Sequence, residues 1–206
     1  DDDADGDGVC GDVDACPGHD DNADFDGDGI ADGCDETATG DASLGFSDMT
    51  EGSVSVSYDS NVDIYGFQFS VSGVTLTGAS SDLGDVSFSE TTGNVVGFSF
   101  TGGSLESELG TLVELTFTPI NGGATISVSD VILSGIDGTD IAATGPGDSD
   151  VPACANADGD ELCDVADDCP FDADNDADGD GVCGDVDPCP ADANDDSDGD
   201  GSCDSD

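Results

Sequence analysis

Aspartates with one fixed spacing are the residues of this sequence that could do chemistry. Acidic or amide side chains stand at positions 1, 3 and 5 of a short pattern, glycine usually follows at position 6, and aspartate returns at position 12. Calcium takes about six to eight oxygen ligands, so closely spaced carboxylates can surround it only where the chain turns sharply. Glycine permits that turn because positive φ costs it little. The pattern occurs five times, beginning at Asp3, Asp24, Asn156, Asp176 and Asp196, and the fifth copy stops one residue short of position 12.

This is the ligand spacing of an EF-hand calcium loop, and it predicts at least five Ca²⁺ sites. Position 7 supplies a backbone carbonyl, and its apolar side chain is expected to point inward. The predicted ligands are Asp3, Asp5, Asp7, Val9 and Asp14; Asp24, Asp26, Asp28, Ile30 and Asp35; Asn156, Asp158, Asp160, Leu162 and Asp167; Asp176, Asp178, Asp180, Val182 and Asp187; and Asp196, Asp198, Asp200 and Ser202. The third loop has Glu161 where glycine is expected, so its turn is expected to differ.

The acidic residues concentrate at the two ends, which hold 37 of the 51. Five divalent ions would offset only ten of those charges, so additional ions are one hypothesis and solvated surface charge is the other. The candidates for additional ligands are Asp12, Asp20, Asp21, Asp172, Asp174, Asp185 and Asp192.

The net charge of −51, with no Lys or Arg among 206 residues, limits the possible partners. Such a charge disfavours nucleic acid and anionic membranes, and cations must come from solution. No apolar run approaches about 18 residues, so no membrane insertion is expected. His19 is the single histidine, which excludes ordinary Cys/His zinc sites, and it is expected at the surface.

The loops lack helical apolar periodicity on either side, so helix–loop–helix units are not expected. Residues 1–35 and 154–206 instead resemble thrombospondin type 3 repeats, through three Cys-Pro pairs (16–17, 169–170, 189–190) and the segment DGIADGC at 28–34. The resemblance implies irregular loop arrays whose interior is formed by ions. It also implies the disulfides Cys16–Cys34, Cys154–Cys163, Cys169–Cys183 and Cys189–Cys203, with Cys10 left over. The residues leave open a second scheme, which pairs 10–16, 163–169 and 183–189.

Residues 42–145 have no cysteine and alternate apolar with polar side chains at period two, as in Val54, Val56 and Tyr58. This pattern predicts strands and an all-β, antiparallel sandwich. The domains are expected at 1–39, 40–147 and 148–206. Further predicted strand runs are 65–71, 73–79, 85–89, 94–101, 113–117, 124–129, 131–136 and 139–143.

Two stretches of this middle domain, VDIYGFQFSVSGV at 62–74 and GTLVELTFTPINGGATISVSDVILSGIDGTDI at 110–141, resemble a cohesin-type domain. The resemblance implies a jelly-roll β-sandwich of the kind used in bacterial surface and scaffold proteins. Cohesins bind dockerin modules, but a shared fold does not transfer that activity.

An enzyme is not expected, because one His and no Lys or Arg leave few bases, nucleophiles or oxyanion donors. Paired carboxylates could cleave glycosides. The acids of the middle domain, however, stand in polar turn clusters, where solvated surface charge is the simpler interpretation. They include Asp82, Asp85, Asp137 and Asp140.

The leading hypothesis is a prokaryotic, extracellular structural or adhesive protein of a cell-surface stalk, matrix fibre or filament. Its copies would join head to tail, as a homopolymer or as covalent tandem repeats, with Asp1 of one copy following Asp206 of another at position 12 of the fifth loop. The alternative explanation of the incomplete fifth loop is a fragment boundary. The alternative is a module whose sandwich binds carbohydrate or a cell-surface protein, with the loops as rigid spacers. Exposed aromatic residues on one sheet face would favour that alternative.

Overall fold

The computed structural model describes residues 6, 8–10, 13–18, 20–22, 24, 29–31, 34 and 40–204. The chain divides into two compact units, residues 1–118 with 124–151 and residues 119–123 with 152–206. The second is called the C-terminal unit below. Several residues named in the sequence analysis lie outside the described residues. They are the predicted ligands Asp3, Asp5, Asp7, Asp26, Asp28 and Asp35, the additional candidate Asp12, the residues Asp1 and Asp206 of the expected head-to-tail contact, and His19.

The first unit is built from ten β-strands, as the alternating pattern predicts for an all-β domain. A three-residue 3-10 turn at Ile136–Gly138 is the one helical element among the described residues. In chain order the strands are β1 (Asp41–Ser47), β2 (Ser53–Ser60), β3 (Gly66–Ser72), β4 (Leu76–Ser80), β5 (Asp85–Phe88), β6 (Asn94–Phe98), β7 (Glu108–Phe117), β8 (Ala124–Ser134), β9 (Asp140–Thr144) and β10 (Asp148–Val151).

These strands form a β-sandwich whose two layers are joined through β9. The strand order is β4-β7-β2-β1-β9-β8-β3-β6-β5, and β10 also pairs with β8. All pairs are antiparallel except β1 with β9, which is parallel. Strand β9 begins beside β8, where Ile141 faces Leu133, and ends beside β1, where Ala143 faces Ala42. It therefore crosses from one layer to the other.

One apolar core lies between the two layers. Val54 and Leu115 of the β7–β2 layer and Phe69 and Ile126 of the β8–β3 layer are at most 2% exposed and belong to the same cluster. Their polar strand neighbours Gln68 and Glu114 are exposed. Period-two alternation thus places one face of each sheet in the core and the other in solvent.

Two β-bulges change this alternation. In β7, Leu112 is an extra residue between those that pair with Val56 and Ser57, and both Leu112 and Val113 are fully buried. In β8, an extra residue near Asp130, which has φ 53°, joins the predicted runs 124–129 and 131–136 into one strand. A bulge shifts the alternation of buried and exposed side chains by one residue, so the sequence pattern of one strand looks like two separate strands.

The sequence missed β1 and β10. Their burial alternates only partly, and β10 consists of three polar residues and Val151. Strand β10 pairs with Ala124–Ser127 of β8, so the sandwich continues past the expected boundary at residue 147. No helix in the described part of the chain is long and apolar enough to cross a bilayer.

Candidate metal centre

The C-terminal unit is a chain of turns without described strands or helices between Pro152 and Asp204. Its turns repeat every twenty residues, as three equivalent backbone hydrogen bonds show. They run from Asp164 N to Ala155 O (2.9 Å), from Gly184 N to Asn175 O (3.0 Å) and from Asp204 N to Asp195 O (2.7 Å). The internal sequence repeat is therefore also a structural repeat.

Three disulfides connect the turns of the C-terminal unit, and a fourth, Cys16–Cys34, lies in the first unit; all four are the pairs that the thrombospondin type 3 resemblance implied. Cys169–Cys183 and Cys189–Cys203 each span 14 residues, while Cys154–Cys163 spans 9 and Cys16–Cys34 spans 18. Cys10 is exposed and forms no disulfide. The second scheme, with pairs inside single loops, is wrong. Each Cys-Pro cysteine, at 16, 169 and 189, is bonded to a cysteine of the loop that follows it.

The interior of the C-terminal unit contains sulfur and carboxylate rather than apolar side chains. Its buried residues are Cys154, Cys163, Cys169, Cys189, Asp167, Asp187 and Asp192. Of the position-7 side chains, which we expected to point inward, Val9 is half-buried, and the others are exposed by 49% at Ile30, 44% at Leu162 and 37% at Val182. That expectation was wrong because the loops contain too few apolar residues to pack a core around them.

Glycine at position 6 sets the shape of each regular loop. Gly8, Gly29, Gly181 and Gly201 have φ between 88° and 99°. In three loops this glycine donates its N–H to the carboxylate at position 1. The pairs are Gly29 with Asp24 (2.9 Å), Gly181 with Asp176 (2.9 Å) and Gly201 with Asp196 (2.8 Å). The backbone therefore folds around the first predicted ligand.

Asp176 illustrates the electrostatic result. Hydrogen bonds from the N–H of Gly181, and then from those of Gly179 and Asp180, lower the pKa of its carboxyl group. Such bonds favour the charged form, so the carboxylate stays ionised. Ionised carboxylate oxygens are among the ligands that a hard cation such as Ca²⁺ takes.

The third loop departs from this arrangement, as Glu161 predicts. Glu161 does not adopt positive φ, and Gly159 is the residue that donates its N–H to Asn156 Oδ1, at 2.7 Å. The Asn156 amide in turn donates to the backbone carbonyl of Asp160, at 2.7 Å. Asn156 is thus occupied within the loop, while the carboxylates at positions 3, 5 and 12 come together.

Four groups of three aspartates place carboxylate oxygens within 4.8 Å of one another among the described residues. Most of their members are predicted ligands. Asp195 and Asp204 are the two that sequence reasoning missed. The groups are Asp158–Asp160–Asp167, Asp176–Asp178–Asp180, Asp180–Asp187–Asp195 and Asp196–Asp198–Asp204.

Position 12 does not join positions 1, 3 and 5 of the fourth loop in one group. Asp187 lies with Asp180 and with Asp195, the residue just before the fifth loop. In the fifth loop the position-5 residue, Asp200, is exposed and accepts the N–H of Ser202 at 2.9 Å. The third member of the fifth-loop group is Asp204 instead. Nothing in the twelve-residue ligand spacing points to Asp195, which directly precedes the fifth loop.

Several carboxylate oxygens in these groups are buried without a hydrogen-bond partner. They are Asp158 Oδ2, Asp178 Oδ2, Asp187 Oδ2 and Asp195 Oδ1. Burial, then the negative charges of Asp187 and Asp180, raise the pKa of Asp195. Buried anions without partners are unfavourable, and the sequence contains no Lys or Arg that could neutralise them. These oxygens therefore fit a hard, oxygen-binding cation.

Comparison with known proteins finds no matching family model and no matching curated protein. Cohesin modules are among the solved structures that resemble this chain. CaCohA2 from Clostridium acetobutylicum is 15% identical over 56% of this chain and 93% of its own, with a TM-score of 0.43. The seventh ScaB type I cohesin from Pseudobacteroides cellulosolvens is 19% identical over 56% and 94%, with a TM-score of 0.40.

A non-cellulosomal cohesin from the archaeon Archaeoglobus fulgidus is 14% identical over 55% of this chain and 91% of its own, with a TM-score of 0.35. The resemblance concerns about half of the chain. The thrombospondin type 3 resemblance of the two ends stays a prediction from the sequence.

Six of the nine aromatic residues between positions 40 and 151 lie in the apolar core or pack against it, namely Phe46, Tyr58, Phe67, Phe69, Phe88 and Phe117. Tyr58, Phe67, Phe69 and Phe117 are at most 5% exposed. Phe100, just after β6, is 81% exposed and packs edge-on against Phe98, with ring centroids 4.7 Å apart. One exposed ring does not make the aromatic platform that carbohydrate binding on a sheet face would need.

Proposed function

We propose that this chain is an extracellular, calcium-dependent structural protein in which the loop repeats bind Ca²⁺ and flank a β-sandwich. The observation that carries the proposal is the set of buried carboxylate oxygens without hydrogen-bond partners at Asp158, Asp178 and Asp187. Each belongs to a group of three aspartates. Divalent cations would supply the positive charge that the sequence lacks.

Four disulfides support an oxidising, extracellular setting. The C-terminal unit has almost no apolar interior, so disulfides and ions must supply the stability that a core would otherwise give. We further propose that the loops bind at least five ions and join copies of the chain head to tail, in a prokaryotic surface or matrix fibre. This last step rests on the sequence, because Asp1 and Asp206 lie outside the described residues.

Chelation tests the calcium role in the intact, disulfide-bonded chain. Hydrogen exchange is compared in excess CaCl₂ and in excess EGTA. We expect amides of residues 154–204 to lose protection on chelation, because metal binding and ordering of such loops are coupled. Amides of β2, β3, β7 and β8 are the internal control and should keep theirs, since the apolar core needs no ion. Equal protection of residues 154–204 in both conditions would contradict the proposal.

A second candidate is that the sandwich binds a protein partner and the loops are spacers. It is favoured by a groove of about 260 Å³ at one end of the sandwich, lined by Tyr65, Ser107 and Ile136 among others. Ile136 is 44% exposed there. Partner binding that persists unchanged in EGTA would favour this candidate over a calcium-dependent structural role.

A further inference from the structure

The group Asp180–Asp187–Asp195 differs from a calcium loop because its ligands come from both sides of a repeat boundary. Asp180 and Asp187 are positions 5 and 12 of the fourth loop, and Asp195 directly precedes the fifth. Their carboxylate oxygens lie within 4.8 Å of one another. We propose that these three residues, the junction site, bind a divalent cation of their own, and that the residue before each loop decides whether a junction does so.

Burial of Asp187 is the independent observation at this site. Asp187 is 9% exposed, and its Oδ1 accepts the N–H of Cys189 at 2.6 Å. Its Oδ2 is buried and has no hydrogen-bond partner, and the same holds for Oδ1 of Asp195. A buried charge without a partner is costly, so a cation held between these two oxygens and Asp180 would stabilise them. Calcium matches carboxylate oxygens in a flexible geometry.

The preceding repeat provides a natural comparison. Twenty residues earlier, the junction consists of Asp160, Asp167 and Asn175. Asn175 Nδ2 donates a hydrogen bond to Asp160 Oδ2 at 3.0 Å. The Asn175 amide thus supplies a hydrogen-bond donor to the Asp160 carboxylate, and this junction has two carboxylates where the next one has three. The two junctions therefore differ in ligand charge.

The backbone is the same at both junctions, so the side chain makes the difference. Asn175 and Asp195 have φ of 58° and 54°. Their N–H groups donate to the carbonyls of Asp172 and Asp192, at 2.8 and 2.9 Å. Asn and Asp both tolerate this left-handed conformation, so exchanging them should preserve the fold. Asp195 thus binds an ion together with Asp180 and Asp187, whereas Asn175 donates a hydrogen bond to Asp160 at the equivalent place.

This inference rests on the proposed calcium binding by the loops, and the test separates the two. The full chain with its disulfides is freed of calcium and titrated with CaCl₂, with native mass spectrometry for ion number and calorimetry for affinity. Asp195→Asn should lose one ion, or weaken one site by at least about tenfold, because ligand charge sets calcium affinity. Asn175→Asp should gain one ion.

Asp168→Asn is the matched control, since Asp168 is exposed and belongs to none of the four groups. It removes the same charge from the same unit, and its ion count should equal that of the wild type. Equal ion counts and affinities for Asp195→Asn and Asp168→Asn, in a wild type that binds calcium, would overturn the junction site alone. A wild type that binds no calcium would overturn the proposed function as well.

Discussion

Asp176 and Asp187 show that aspartates of one loop have different partners. The Asp176 carboxylate accepts N–H groups from Gly179 and Gly181, which fold the loop around it. Asp187 uses one oxygen for the N–H of Cys189 and keeps the other without a partner. The first residue therefore shapes the loop, and the second reaches the repeat boundary.

Gly181→Ala tests the turn at position 6. Gly181 has φ 99°, and a Cβ there would meet no atom within 4 Å, so only the backbone conformation opposes alanine. We expect the C-terminal unit to lose about 1–2 kcal/mol of stability and calcium to bind more weakly. Hydrogen exchange of residues 176–189 in CaCl₂ measures the first effect, and calorimetry measures the second.

Glu161→Ala is the control at the same loop position, because Glu161 does not adopt positive φ. Its effect should stay within about 0.5 kcal/mol, as for most exposed positions. If both alanine variants lose the same stability and the same affinity, the glycine turn is not what orders the loop.

At the scale of the elements, the two units gain stability by different means. The strands bury a continuous apolar cluster, whereas the C-terminal unit buries cysteines and carboxylates. In the chain-entropy account, a disulfide that closes a loop of 14 residues, such as Cys169–Cys183, is worth about 3 kcal/mol. Disulfides, together with the ions that we propose, thus stabilise the C-terminal unit in place of the apolar packing that stabilises the sandwich.

Phe69→Ala tests the core of the sandwich. Phe69 on β3 is fully buried and stacks on Phe67, with ring centroids 5.8 Å apart. Its loss should cost about 3–5 kcal/mol, from lost burial and the cavity left behind. Urea unfolding followed by tyrosine fluorescence reports on this unit, because Tyr58 and Tyr65 are the two tyrosines of the chain and both lie within it.

Phe100→Ala is the matched substitution at an exposed ring. It should cost no more than about 1.5 kcal/mol, the value of its edge contact with Phe98. A loss as large as that of Phe69→Ala would show that Phe100 is part of the core.

At the scale of the whole molecule, the charge of −51 governs behaviour with and without calcium. Without divalent cations the carboxylates repel one another and oppose both compaction and association. We expect sedimentation velocity to show self-association in CaCl₂ and monomers in EGTA. Monomers at saturating calcium would contradict head-to-tail joining.

The double variant Asp196→Asn/Asp198→Asn should weaken that self-association, because both residues belong to the fifth-loop group. Asp82→Asn/Asp85→Asn removes the same charge from the sandwich and serves as the control. Equal weakening by both variants would attribute association to net charge rather than to the loop.

The amino-acid sequence was sufficient to predict the all-β sandwich, because period-two alternation in strands such as β2 and β3 indicates directly which side chains face a core. It also located the acidic loops, since ligands from one loop must lie close together in the chain. The Cys-Pro pairs carry the resemblance to thrombospondin type 3 repeats, and that resemblance implied the disulfide pairs. Strand β10 was missed because three polar residues carry no apolar pattern.

Tertiary structure alone decided which aspartates share an oxygen cluster. Asp195 lies eight residues after Asp187 in the chain, yet it meets Asp187 and Asp180 because one turn of the repeat folds back on the next. Tertiary structure also sets the exposure of the position-7 side chains, because exposure depends on which residues pack around a loop. Local spacing specifies a loop, and only packing between repeats specifies the junctions that connect the loops.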